Sequence, residues 1–237
     1  MDLSLPRRVE PELLDGLAAA DPRAQRSRDD LRRIHRAMAT LTIVERALNR
    51  ATAGGRPRTL LELGAGDGTL LLRLAARQSA RWPALAVTLL DQADLVSAQT
   101  LQRLRTLGWT PRVATLNVFD WLERSGAAQF DVIMANLFIH HFAGDDLRRL
   151  LAGVAARANV FVCCEPRRST LPLAGSHLLG LLGAGPVTRQ DAVASVHAGF
   201  RDQELSNGWP GRAGWTIAEY RAGLFSHCFV AVRNQRA

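Results

Sequence analysis

Two adjacent histidines, His140 and His141, come near the end of an apolar run, ANLFIHHF, at residues 135–142. A histidine with a pKa near 6.5 suits general base chemistry at neutral pH. Shared metal binding is disfavoured, since adjacent side chains diverge by about 100° in a helix and point to opposite faces in a strand. The sequence therefore predicts no metal at this pair. Either one histidine is a general base, or both pack and hydrogen-bond beneath a pocket.

A glycine-rich loop, ELGAGDG, covers residues 62–68 and begins within a short apolar run. Glycines at Gly64, Gly66 and Gly68 permit a tight turn and a close approach of a ligand to the backbone. The N–H groups of a following helix can also bind an anion. The spacing is G-x-G-x-G, which differs from the G-x-G-x-x-G of dinucleotide sites. A simple turn without a ligand is the alternative interpretation.

Asp91 ends a second apolar run, AVTLLD, about 20 residues after the glycine loop. An acid in that place can accept hydrogen bonds from both hydroxyls of a ribose. Its other possible role is to cap the helical stretch that follows. The glycine loop and the acid together favour a ligand that contains a nucleoside.

Short apolar runs alternate with helical segments from residue 58 onward. These elements must position the histidines, the glycine loop and Asp91. The runs cover residues 58–64, 86–91, 112–117, 130–136 and 159–166. They are apolar throughout, which is typical of parallel strands buried on both faces. Residues 215–233 predict a hairpin that turns at Ala222-Gly223 and adds an antiparallel strand. The predicted fold class is therefore α/β, with a doubly wound, mostly parallel sheet.

Residues 1–55 are predicted to form an N-terminal helical cap. One helix is expected over SRDDLRRIHRAMATLTIVERAL, with Ser27, Asp29 and Asp30 at its start. Gly54-Gly55 and Pro57 mark the boundary. Residues 56–237 would form a Rossmann-like domain, with a helical insertion at about 168–200 that caps an apolar pocket.

The glycine loop, Asp91 and FDVIMAN at residues 130–136 together resemble the class I S-adenosylmethionine-dependent methyltransferases over about residues 56–237. The resemblance implies a seven-stranded sheet with an antiparallel C-terminal strand, and S-adenosyl-L-methionine as cofactor. It also implies the cofactor-binding residues, which are Glu62, Gly64, Ala65, Gly66, Asp67, Gly68, Asp91, Gln92, Asn117, Val118, Phe119, Asn136 and Leu137.

Within that set, the resemblance assigns particular roles. Gly64 to Gly66 would pass under the methionine moiety, and Glu62 would orient the loop or bind the amino group through water. Asp91 would hold the ribose hydroxyls, with Gln92 beside the adenine. Residues 117–119 would lie near the adenine as well.

Further residues near the cofactor also carry expectations. Asn117 stands where the family often has an acid; its carbonyl oxygen can still accept a hydrogen bond, and Asp120 is the alternative. The backbone of Asn136 and Leu137 would line the methionine part of the cofactor. His140 and His141 would then lie next to the reactive sulfonium, which makes them the catalytic candidates.

The amino-acid composition argues against nucleic acids and membranes as partners of this protein. The 237 residues are 47% hydrophobic with a net charge of +8, and no lysine is present. The arginines are scattered and few aromatics lie between them, so no nucleic-acid surface is expected. Neither a signal peptide nor a membrane-spanning run is evident, which predicts a cytoplasmic protein without membrane insertion. Cys163, Cys164 and Cys228 are expected to be buried free thiols.

The predicted function is methyl transfer to a small, fairly apolar acceptor, such as a phenol or a polyketide-like metabolite, with O-methylation favoured. C- or N-methylation and a non-catalytic binding protein of the same fold are the alternatives. A nicotinamide dehydrogenase is disfavoured by the loop spacing and by the absence of a Tyr-x-x-x-Lys pair. Association into a homo-oligomer is left open.

Overall fold

One seven-stranded sheet forms the centre of the molecule, in a computed structural model that describes residues 5–124, 126 and 128–234. Its strands are β1 (Thr59–Leu63), β2 (Ala86–Asp91), β3 (Thr110–Thr115), β4 (Phe130–Asn136), β5 (Ala158–Pro166), β6 (Trp215–Ala222) and β7 (Ser226–Arg233). Their order across the sheet is 3-2-1-4-5-7-6, and β7 pairs antiparallel with both of its neighbours. The predicted α/β class and the antiparallel C-terminal strand are confirmed.

Helices join the strands and cover both faces of the sheet. They are α1 (Pro22–Ala37), α2 (Thr40–Ala51), α3 (Thr69–Gln78), α4 (Ala98–Thr106), α5 (Val118–Arg124), α6 (Gly144–Arg157), α7 (Thr170–Leu178), α8 (Pro186–Ala198) and α9 (Glu204–Gly208). Short 3-10 turns lie at Leu14–Gly16, Ile139–His141, Leu179–Leu182 and Arg212–Gly214. Among the described residues, no helix is both long and apolar enough to cross a membrane.

The sheet separates two hydrophobic cores. Leu60 and Val132 belong to the core that contains residues of α2, α3 and α4. Their neighbours Leu61 and Ile133 belong to the core that contains residues of α5 and α6. Successive strand residues point to opposite faces, and both faces are covered, so the central strands β1, β4 and β5 are apolar at most positions.

The N-terminal helix predicted from residue 27 is instead two helices. Helix α1 begins five residues earlier, where Asp21 caps it by accepting from the Arg23 N–H at 2.8 Å. It ends before Ala39, whose left-handed φ of 54° turns the chain into α2. Ser27 and Asp30 are buried within α1, where they contact Thr188 of α8. The acids that suggested a helix start therefore serve partly to attach α1 to α8.

The structure contains a hairpin and a helical segment in the two places where the sequence predicts them. Strands β6 and β7 flank a turn at Gly223, whose φ is +68°. Helices α7 and α8 occupy most of the stretch between residues 168 and 200. The three cysteines are free and buried. The proposed division of the chain at residue 55 remains a prediction.

Candidate cofactor and acceptor site

A cavity of about 900 Å³ opens where β1, β2 and β4 end. Carboxyl ends of parallel strands form the usual ligand crevice of such sheets. Most of the predicted site residues line it: Glu62, Gly64, Ala65, Gly66, Asp67, Asp91, Gln92, Asn117, Val118, Asn136, Leu137, His140 and His141. Gly68 and Phe119 are not part of this lining.

The glycine loop has left-handed backbone at its three glycines. A side chain at Gly64 would be 2.4 Å from the Phe138 ring, so no larger residue fits. At Gly66, a Cβ would meet no atom within 4 Å, which leaves space over the loop for a ligand. A Cβ at Gly68 would approach Leu89 to 2.9 Å, which makes this glycine a packing residue. The loop therefore combines a tight turn with an open surface toward the cavity.

Asp91 fastens the glycine loop to the end of β2. Its Oδ2 accepts from the Gly66 N–H at 2.8 Å, and its Oδ1 accepts from the Ala93 N–H at 2.9 Å. Helix α4 is capped by Ser97, so Asp91 does not perform the helix-capping role. Each carboxylate oxygen can accept a second hydrogen bond, and both therefore remain able to bind ribose hydroxyls.

Two buried oxygens in the wall of the cavity have no hydrogen-bond partner within the described chain. They are Oε2 of Glu62 and Oδ1 of Asn136. Burial, with Asp67 and Asp91 nearby, raises the pKa of Glu62 well above its usual range. Buried polar groups of this kind normally have partners. The ammonium group and ribose of a bound S-adenosylmethionine carry suitable donors, so these residues fit that cofactor.

Asn117 caps α5, because its Oδ1 accepts from the Phe119 N–H at 2.9 Å. Asp120 lies one residue further along, in the first turn of the same helix. The Phe119 ring packs edge-on against Phe142, with their centroids 5.5 Å apart. Of the three predicted adenine neighbours, Asn117 and Val118 reach the cavity.

Leu137 adopts a left-handed conformation, with a φ of 53°. A non-glycine residue rarely adopts this conformation, and such residues cluster at functional sites. The Leu137 N–H donates to the Cys164 carbonyl at 2.9 Å, which holds the chain as it leaves β4. The 3-10 turn that carries both histidines follows immediately.

Glu165, at the end of β5, shapes that turn. Its carboxylate is fully buried and accepts from the backbone N–H groups of Phe138, Ile139 and His140 at 3.0–3.3 Å. It also bonds Nδ1 of His140 at 2.8 Å. The His140 ring is therefore fixed from below by a carboxylate on the neighbouring strand.

Residues 5–20, the N-terminal strap, bring two more acids to the histidines. Oε1 of Glu12 lies 3.3 Å from Nε2 of His140, and Glu12 also accepts from the Ser195 hydroxyl of α8. An oxygen of Asp15 lies 3.7 Å from Nδ1 of His141. Arg7 anchors the strap by donating to the Phe142 carbonyl at 2.8 Å.

The sequence analysis did not connect Glu12 and Asp15 with the histidines. Along the chain, the acids nearest to the histidines are Asp145 and Asp146. No spacing rule links residue 12 to residue 140, so only folding could bring them together. The position of Glu165 in the sequence could have identified it as a site residue. It stands near the carboxyl end of a predicted parallel strand, at the sheet edge where ligand sites form.

The two histidines have opposite protonation preferences. Burial opposes a charge on His140, but hydrogen bonds to Glu12 and Glu165 outweigh it and raise its pKa to about 9. Burial, with the neighbouring His140 charge, lowers the pKa of His141. The His141 side chain is 25% exposed, against 3% for His140. At neutral pH, His140 is therefore a cation with both ring nitrogens engaged, and His141 is neutral.

Glu12, His140 and His141 each offer one potential metal ligand, and the three ligand atoms lie within 4.8 Å of one another. This spacing is close enough for the three residues to share a metal ion. The two imidazole rings lie 4.2 Å apart and are tilted by 32°. A metal ion lies near the plane of each imidazole that binds it, and planes so nearly parallel do not meet close to both nitrogens. The metal-free pair predicted from the sequence remains a prediction.

His140 should make stability depend on pH. A histidine whose pKa rises from about 6.5 unfolded to about 9 folded stabilises fully below pH 6.5, and the contribution is lost as pH rises through 9. The free energy of unfolding should fall by up to about 3 kcal/mol more in wild type than in His140→Gln between pH 6.5 and 9.5. Urea titrations of both proteins at the two pH values measure this. Equal losses in both proteins would contradict the assignment.

The strand order, the glycine loop after β1 and the acid that ends β2 together define the class I S-adenosylmethionine-dependent methyltransferases. Residues 61–159 match the family model described as a methyltransferase domain. The fold, the site and this match over residues 61–159 together support a class I S-adenosylmethionine-dependent methyltransferase, with S-adenosylmethionine as its cofactor. The enzyme class and the cofactor predicted from the sequence are confirmed.

Solved structures share the fold at low sequence identity. An O-methyltransferase family protein from Burkholderia thailandensis is 19% identical with a TM-score of 0.62, over 91% of this chain and 61% of that one. The chain thus spans about three fifths of that protein. The plantazolicin methyltransferase BpumL, solved in complex with SAH, is 13% identical with a TM-score of 0.62, over 91% and 92% of the two chains. A search of curated proteins finds no significant match.

Proposed function

We propose that this enzyme transfers a methyl group to a hydroxyl oxygen of a small, fairly apolar acceptor, such as a phenol or a polyketide-like metabolite. The observation that carries the proposal is His141, a neutral histidine on the cavity wall just after β4. A phenolic hydroxyl must lose its proton as the methyl group arrives, and a neutral imidazole can accept that proton.

The cofactor would lie over the glycine loop. Asp91 would hold the ribose hydroxyls, and Glu62 would face the methionine ammonium. Bound there, S-adenosylmethionine supplies a methyl group on a cationic sulfur. The open surface at Gly66 and the unpartnered oxygens of Glu62 and Asn136 support this placement.

The chain's part in the reaction is mainly alignment and proton acceptance. Methyl transfer is an in-line displacement with a good leaving group, so orientation of the acceptor supplies much of the rate. His141 would take the hydroxyl proton on its ring nitrogen. Glu165 and Glu12 hold His140 as a cation, and its ring packs against the His141 ring, with the centroids 4.2 Å apart. This charge keeps His141 neutral and ready to accept the proton.

The lining near the histidines favours an apolar acceptor. Leu14 and Leu17 of the strap, with Phe138 and Phe142, line the same cavity as the histidines. Small-molecule sites typically combine such apolar walls with a few polar groups that fix orientation. Here the polar groups are His141, Glu12 and Asp15.

A panel of acceptors tests the proposal. The enzyme is incubated with S-adenosylmethionine and, separately, with phenols, hydroxylated polyketide-like aromatics, aromatic amines, RNA and protein. We expect SAH release and a methyl ether only with the hydroxylated aromatics. Methyl uptake confined to RNA or protein would overturn the proposal.

An amine acceptor is the second candidate, and the acids of the strap favour it. Glu12 and Asp15 lie beside the histidines, so they could attract an ammonium group before it loses its proton. The same panel separates the two, because N-methylated products would then predominate over methyl ethers.

A further inference from the structure

Four leucines form an exposed stripe on α7 and the 3-10 turn after it. Leu171, Leu178, Leu181 and Leu182 are 50%, 56%, 83% and 78% exposed. Their spacing, i, i+7, i+10 and i+11, places them on one side of a helical segment. Single exposed leucines are ordinary, but a contiguous apolar stripe usually marks an interaction surface.

The opposite side of α7 is the one that packs on the protein. Pro172 and Ser176 are buried, and a Cβ at Gly175 would lie 3.1 Å from the Phe225 ring. The leucine stripe therefore faces outward because the other side of the helix already fills the contact with the domain. Nothing in the packing of the described residues requires leucine on the outer side.

Exposed arginines border the stripe. Arg26 donates to the Gly183 carbonyl at 3.3 Å, and a Cβ at Gly180 would lie 3.1 Å from the Arg189 side chain. Both arginines are exposed. Two acids near them, Asp30 and Asp191, are buried and accept backbone hydrogen bonds from Gly185 and from the strap. The exposed Glu10 lines one cavity together with the exposed Arg8 and Arg189, so the cations there outnumber the acid. The outer surface around the leucines is therefore apolar with a cationic border.

A second copy of this chain fits the stripe poorly. A stable dimer buries roughly 800 Å² on each partner, and four partly exposed leucines offer well below that. A two-fold contact centred on the stripe would also lay one cationic border against the other, with Arg26 and Arg189 contributed by each copy. Both the area and the charge argue for a different occupant.

We propose that the leucine stripe docks this enzyme on an anionic lipid surface. Exposed leucines beside cationic side chains are features by which a protein surface lies against an anionic bilayer interface, and here α1 and α8 supply the arginines. Each arginine near an anionic surface adds to the attraction, which weakens with salt. The contact is peripheral, in keeping with the absence of a spanning helix among the described residues.

The position of the stripe relates it to the cavity. Helix α8 carries Arg189 at the border of the stripe, and it carries Asp191, which accepts from the Leu13 and Leu14 N–H groups of the strap. Leu13 is itself 43% exposed. Docking would thus place the strap close to the lipid. The inference goes beyond the proposed acceptor, because lipid binding requires no methyl transfer.

Vesicle flotation tests the proposal. Wild type should float with vesicles of phosphatidylcholine and phosphatidylglycerol, and much less with phosphatidylcholine alone. The double variant Leu181→Ser/Leu182→Ser should bind at least about tenfold more weakly. Arg189→Gln should lower binding about fivefold, the effect of one cation near the surface. Leu224→Ser is the matched control, since Leu224 is 60% exposed in the β6–β7 turn, outside the stripe.

Three results would overturn the proposal. Wild type could fail to float with anionic vesicles, or Leu224→Ser could weaken binding as much as the double variant. Gel filtration could instead show a dimer that the double variant splits into monomers, which would make the stripe an interface between copies. The substituted leucines are largely exposed, so thermal unfolding should show both variants folded as wild type.

Discussion

Replacement of His141 by alanine is expected to lower turnover on a phenolic acceptor by about 10²–10⁴-fold, the usual contribution of a general base. The affinity for S-adenosylmethionine should change little, since His141 is assigned to the acceptor. Steady-state kinetics with saturating cofactor, and calorimetry for cofactor binding, measure the two quantities. His177→Ala is the matched control, because His177 is an exposed histidine of α7 that does not line this cavity.

The pH profile distinguishes a base from a packing residue. A phenol with a pKa near 10 ionises without help at high pH. The defect of His141→Ala should therefore shrink as the pH rises toward 10. A loss of turnover that stays constant across pH would show that His141 is a structural residue. A loss of stability large enough to explain the lower turnover would show the same.

Replacement of Asp91 by alanine is expected to weaken binding of S-adenosylhomocysteine by at least about a hundredfold. Hydrogen bonds to a charged group are worth about 1.5–3 kcal/mol each, and Asp91 is proposed to make two of them to the ribose. The variant also frees the Gly66 N–H, so the loop loses the contact that fixes it to β2. Asp91→Asn should show an intermediate affinity, because the amide keeps one acceptor oxygen.

Calorimetry on four proteins checks this prediction. Wild type, Asp91→Ala and Asp91→Asn are compared with Asp94→Ala, which removes an exposed acid three residues away that does not line the cavity. Asp94→Ala should bind as wild type does. Unchanged affinity in Asp91→Ala would show that the ribose lies elsewhere, and binding of NAD to wild type would contradict the cofactor assignment.

The histidine pair acquires its protonation states from carboxylates in two distant parts of the chain. Glu165 of β5 fixes the His140 ring, Glu12 of the strap engages its other nitrogen, and the resulting cation keeps His141 neutral. Removal of either carboxylate should therefore alter both histidines. This arrangement gives two adjacent residues of the same type different roles.

Local sequence patterns were enough to predict the sheet and the glycine-loop side of the cavity. Both depend on local patterns: apolar runs such as AVTLLD mark doubly buried strands, and Gly64, Gly66 and Asp91 stand at fixed positions relative to strand ends. Strand ends meet at one edge of a parallel sheet, so these residues converge without further information. The break between α1 and α2 was missed, because Ala39 carries no local signal for a left-handed turn.

The histidine side of the cavity depends on contacts between distant parts of the chain, which no local pattern predicts. Glu12 lies 128 residues from His140 along the chain, and their hydrogen bond depends on how the strap crosses α8. The protonation states of the histidines could not be predicted from the sequence either. A pKa depends on burial and neighbouring charge, which are properties of the folded chain. The outward direction of the leucine stripe also appears only after packing, because a helical spacing of leucines predicts an apolar side but not whether the core covers it.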